Sequence, residues 1–108
     1  MEHSPYSLNI TSGSRAVTAA NTTASIPGGE GDQIRFYNAG PNLVAVTVTN
    51  GANTAIFPTD SSSPNGKGMV IPVGGVEIFS IVAGADTLNM ICPAAGTATV
   101  YYSRGKGN

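Results

Sequence analysis

From Asp32 to Ser103 the chain is a succession of short runs in which apolar and polar residues alternate, each ended by Gly, Pro or an Asn-Gly pair. Alternation puts one apolar stripe on each run, and breaks this frequent leave no room for the 3.6-residue periodicity of a helix. The runs are therefore predicted to be short antiparallel strands, and helices to be nearly absent. Ile34 and Phe36 share one face of the run 33–37; Val44, Val46 and Val48 share one face of the run 43–49, with Thr47 and Thr49 opposite. Asn50-Gly51 suits a type I′ hairpin, so 52–57 is expected to be the returning strand. Further strands are expected at 69–73 and 76–82 around Gly74-Gly75, then at 87–92 and 97–103. Pro72 lacks an amide donor, which assigns the run 69–73 to a sheet edge or a bulge. Asp60 to Gly68 contains no apolar residue and reads as a long exposed loop.

Residues 1–31 differ in being rich in Ser, Thr, Ala and Asn, and they are expected to form an N-terminal arm or edge strands. Tyr6, Leu8 and Ile10 alternate with polar residues as an edge strand would, and Val17 and Ile26 could add core contacts. With that strand the count is about eight. The chain is thus predicted to be an all-β, antiparallel β-sandwich in jelly-roll or Greek-key order, with the sandwich domain at 32–103 and a flexible tail at 104–108. A length of 108 residues suits one such domain. Its core is predicted from Ile34, Phe36, Val44, Val46, Val48, Ile56, Ile71, Ile78, Leu88, Met90, Val100 and Tyr102.

Only 10% of the residues are charged, and the formal net charge is −1. Five Lys and Arg, dispersed along the chain, make no basic stripe, so nucleic acid is not an expected partner. The apolar stretches are interrupted by Pro72, Gly74-Gly75 and Glu77 well short of the ~20 residues that cross a bilayer, so no membrane partner is expected either. The N-terminus lacks the basic-then-apolar order of a signal peptide, and the single cysteine forms no intrachain disulfide; both point to synthesis in a cytoplasm. Cys92 alternates with Met90 and Leu88 and reads as a small buried hydrophobe.

Six carboxylates and one histidine are sparse material for acid–base chemistry. His3 sits beside a chain end, where a catalytic dyad would be hard to hold, although a third-position histidine can chelate copper or nickel. Glu77 shares a strand face with Phe79 and Ile81 and reads as a strand-end residue reaching solvent. Gly29-Glu30-Gly31 and Gly66-Lys67-Gly68 lack the Lys-Ser or Lys-Thr pair of a phosphate loop and read as turns. The chain is accordingly predicted to be no enzyme and to need no cofactor or metal. Contacts to a partner are expected from Tyr6 and Leu8, from Asp60 and Lys67 in the polar loop, and from Arg104 and Lys106 in the tail. Tyr37 and Tyr101 are expected to point outward, and self-association is expected through the unguarded edge at 6–11.

Three segments, IRFYNAGPNLVAV (34–46), IPVGGVEIF (71–79) and GTATVYY (96–102), resemble strands and turns of small tailed-bacteriophage head decoration, or cement, proteins of the jelly-roll type. The resemblance spans residues 32–105. It implies a structural virion protein made in the host cytoplasm, which binds the major capsid protein on the outer capsid surface and stabilises the filled head. A carbohydrate-binding or tail-associated adhesion module would use the same scaffold, with Tyr37 and Tyr101 as its platform.

Overall fold

The computed structural model describes residues 11–28 and 31–105. Eight strands follow in order: β1 (Thr11–Val17), β2 (Thr22–Ser25), β3 (Gln33–Pro41), β4 (Val44–Thr49), β5 (Met69–Ile71), β6 (Val76–Ser80), β7 (Thr87–Ile91) and β8 (Ala98–Gly105). They form two antiparallel sheets of four, ordered β1-β8-β3-β6 and β2-β7-β4-β5. The first strand pairs with the last, the second with the seventh, the third with the sixth and the fourth with the fifth. The chain is one long hairpin of nested pairs, rolled up so that successive pairs fall alternately in the two sheets. That nesting is the jelly-roll order.

Every tight break but one therefore carries the chain from one sheet to the other rather than closing a hairpin. The Pro72–Gly75 turn, closed by Gly75 N–H donating to Pro72 O at 2.8 Å, joins β5 of the second sheet to β6 of the first. Such a crossing needs a sharp corner, and β3 supplies another. Its register against β8 shifts between Asn38 and Pro41, where Gly40 takes φ +84° and the Gly40–Pro41 peptide is cis. A Cβ at Gly40 would lie 2.7 Å from Val73, so the corner requires glycine for both conformation and space. Asn38 holds it together while fully buried. Its amide nitrogen donates to Asn42 O at 2.9 Å and to Ile71 O at 3.0 Å, and its side-chain oxygen accepts from Gly40 N–H at 2.8 Å.

The core lies between the sheets. Ile34, Phe36, Val100 and Tyr102 from the first meet Val44, Val46, Leu88 and Met90 from the second, with Ile71, Val17, Ala24 and Cys92 filling the ends. Phe79 packs edge-on to Phe36, with ring centroids 5.5 Å apart. Cys92 is buried as expected, its thiol 3.6 Å from Val17 O, and burial pushes that thiol's pKa up.

Three expectations are corrected. Residues 52–57 do not return beside β4, because both edges of β4 are taken by β5 and β7. They instead cross the outer face of the second sheet, touching another backbone ladder only at the bridge between Ile56 and Lys67. Asparagines hold this crossing down: Asn89, fully buried, accepts from Asn53 N–H at 3.0 Å and donates to Thr47 and Thr49, while Asn21 accepts from Ala55 N–H at 2.8 Å and donates to Asn53 O. Ile56 is consequently 40% exposed and lies outside the core.

Ile78 is the second correction, at 50% exposed. Phe36 pairs with Glu77 and Ile34 with Phe79, so Glu77 and Phe79 face inward and Ile78 faces out. Within 1–31 the edge strands expected there are β1 at 11–17 and β2 after it, both at sheet edges, while the alternating run 6–11 lies, but for Thr11, outside the described residues. Third, β8 runs to Gly105, so Arg104 belongs to a strand and not to a tail.

Candidate docking face

The outward side of the β1-β8-β3-β6 sheet gathers side chains from four strands. Register places Ser14, Tyr101, Tyr37 and Val76 in one row across the sheet, and Ser12, Ser103, Arg35 and Ile78 in the next. Tyr37 and Tyr101 are 41% and 51% exposed, with ring centroids 6.4 Å apart and planes tilted by 31°. Val76 and Ile78 are exposed beside them. Around the tyrosines lies a shallow hollow of about 370 Å³, and among the described residues Arg35 is the one charged residue that lines it. β1 comes close enough to form its far wall because Gly13 lies against the Tyr102 ring; a Cβ there would fall 2.8 Å from the phenol oxygen.

An exposed aliphatic and aromatic cluster of this kind, carrying one guanidinium, suits contact with a protein or sugar surface. Both tyrosines were legible from strand parity. Arg35 follows from the same parity as Tyr37, whereas Val76 and Ile78 do not, because VEIFS carries apolar residues on both faces and only pairing with β3 decides which face is inside. The deciding anchor is Asn38, whose N–H donates to Gly75 O at 3.1 Å and whose carbonyl accepts from Gly74 N–H.

Of the residues expected to make contacts, the described ones fall in two places. Tyr6, Leu8 and Lys106 lie outside the described residues, as does His3. Asp60 is exposed in the polar loop, and Lys67 is joined to Ile56 by backbone hydrogen bonds of 2.8 and 3.0 Å. This loop is tied across its neck, where Asn65 accepts from Thr59 N–H and donates to the Thr59 hydroxyl at 2.7 Å. It belongs to the segment over the second sheet, away from the tyrosines. Arg104 is turned back onto its own chain, donating through Nε to Gly31 O at 2.9 Å and through Nη1 to Pro27 O at 3.2 Å. Its guanidinium thereby anchors the segment before β3.

Among the described residues, no three His, Cys, Asp or Glu side chains come together as a metal site. Asp86 is the carboxylate with a defined environment. Gly51 N–H and the Thr87 hydroxyl each donate to it at 2.8 Å and hold its pKa below the usual carboxylate value. It fastens the Asn50-Gly51 turn to the start of β7. No family model, curated protein or solved structure matches the chain.

Proposed function

We propose that the protein is a structural virion protein, a decoration or cement protein that docks on the major capsid protein of an assembled bacteriophage head and reinforces the shell. The observation that carries this reading is the outward face of the first sheet. The three segments that resemble decoration proteins supply β3 with β4, β5 with β6, and β8, and β8-β3-β6 lie side by side as the strands bearing Tyr101, Tyr37, Arg35, Val76 and Ile78. A flat, weakly charged face of this size binds modestly alone, and many copies on a symmetric shell supply the remaining affinity. Exposed charge pairs at the rim would each add only about 0–1 kcal/mol, so the aromatic and aliphatic contacts carry the docking.

Purified protein incubated with capsids that lack it should co-sediment with them and appear as added density on their outer surface. Replacing Tyr37 and Tyr101 together with Ser should abolish that binding while leaving the melting temperature close to that of the parent. Capsids that stay bare with the parent protein would refute the reading.

The paired tyrosines favour a second reading, a carbohydrate-binding module, since two exposed rings 6.4 Å apart can stack on sugar faces. The hollow beside them is lined by Ser12, Arg35 and Ser103 and by no Asn or Asp among the described residues, which leaves few acceptors for sugar hydroxyls. Binding to a glycan array, lost in the same double variant, with no binding to capsids would establish this alternative.

A further inference from the structure

A sandwich of two four-stranded sheets has four edge strands, and here they are unequally guarded. β2 has four residues and β5 three, the latter followed by Pro72; β1 carries Arg15. β6 (VEIFS) has no proline, lysine, arginine or bulge, its one charge, Glu77, lies on the inner face, and among the described residues nothing pairs with its free edge. An edge of this kind is a template for another strand.

The direction of its free groups follows from the ladder. Asn38 N–H donates to Gly75 O, and Ile81 N–H donates to Asp32 O at 2.7 Å, so Gly75, Glu77, Phe79 and Ile81 point their backbone groups at β3. By alternation, Val76, Ile78 and Ser80 point theirs outward. We infer that β6 pairs antiparallel with β6 of a second copy, about a two-fold axis through Ile78. In that register Ile78 exchanges both backbone hydrogen bonds with its counterpart, and Val76 and Ser80 exchange theirs with each other, so all six outward groups on each strand are used. The two Glu77 carboxylates do not oppose each other, since each lies across from a Phe79. A shift by two residues would leave outward groups unpaired. A second copy brings a strand of the same length whose one charge falls across from Phe79 and not from its like, which is why it is the occupant, and an isologous contact of this kind closes on itself as a dimer. The result is a continuous eight-stranded sheet with two Tyr37–Tyr101 clusters on one side. The inference stands independently of what that face binds.

Sedimentation velocity of the full chain in solution should give a species of twice the monomer mass. Ile78→Pro removes only an amide that points away from β3, so it should sediment as a monomer with its β-rich spectrum intact. Cysteines read the register directly. Cα atoms in a hydrogen-bonded antiparallel pair lie about 5.5 Å apart, within disulfide reach. Ile78→Cys alone should therefore form a covalent dimer under mild oxidation; Val76→Cys alone should not, whereas Val76→Cys mixed with Ser80→Cys should. The buried Cys92 leaves the parent uncrosslinked under the same conditions. A monomeric parent, an oligomer unchanged by Ile78→Pro, or Val76→Cys crosslinking as fast as Ile78→Cys would overturn the inference. Should Ile78→Pro fail to fold, the cysteine series decides alone.

Discussion

Asn38 shows how one residue can set the geometry of several elements. Its side chain saturates three backbone groups at the corner of β3, and its backbone docks the turn before β6. Each of those buried groups left unpaired costs about 1–3 kcal/mol, so Asn38→Ala should lower the unfolding free energy by at least that much, measured by urea titration. Asn38→Asp is expected to be nearly as damaging, because a carboxylate cannot donate to Ile71 O and Asn42 O. The two phenylalanine partners and the neighbouring isoleucine give a contrasting pair. Phe36→Ala empties a fully buried site and should cost about 3–5 kcal/mol, while Ile78→Ala, on the outer face, should stay under about 1 kcal/mol in dilute solution. Side-chain periodicity alone had treated those two positions as equivalent.

At the scale of strands and turns, what could be read from the sequence depended on whether one face of a strand is buried. β3 alternates cleanly and its inward residues follow from pattern alone, although the pattern ends it at Tyr37 and the strand runs on to Pro41; β4 begins close to where the pattern puts it, with Ala45 buried as well as Val44 and Val46. β1 (TSGSRAV) has a single buried residue, Val17, and its place comes from pairing with β8 rather than from any stripe of its own, so no local signal could have found it. The crossing at 52–57 was mistaken for a strand because Asn50-Gly51 is a strong hairpin signal; the decisive fact, that β4 already has two neighbours, is nonlocal. The docking face was half legible for the same reason, with the tyrosines visible by parity and Val76 and Ile78 not. What replaces strand pairing over that crossing is the asparagine ladder. Asn89→Ala should accelerate hydrogen exchange at Asn53 and Ala55 more than at the β3 amides. The turn that begins the crossing is also fastened by the Asp86 carboxylate, which accepts from Gly51 N–H. Because Asp86 has a depressed pKa in the fold, its contribution is fully present above the usual carboxylate value and is lost as pH falls through the lower folded value. Acid titration of stability below about pH 4 should therefore be shallower in Asp86→Asn than in the parent, with the parent the more stable of the two at neutral pH.

For the molecule as a whole, the nested order means that the most distant segments in sequence are neighbours in space, with Thr11 opposite Arg104. Strand pairing over such separations delays the nucleus, so stopped-flow refolding is expected in the millisecond-to-second range typical of sandwiches rather than in microseconds. It also changes what a truncation at the C-terminal end means. Removing residues 104–108 takes away the end of β8 and the two hydrogen bonds of Arg104, so a loss of capsid binding on that deletion would be accompanied by a lower melting temperature, whereas the tyrosine double variant separates docking from stability. The pairing of β1 with β8 has one more consequence. Since both strands near the chain ends lie side by side in one sheet, a short linker could join them, and new ends could be opened in the exposed polar loop at 60–66 without cutting any ladder. A cargo peptide inserted in that loop would leave from the flank opposite the tyrosines, giving the scaffold a point of attachment for display that keeps the tyrosine face clear.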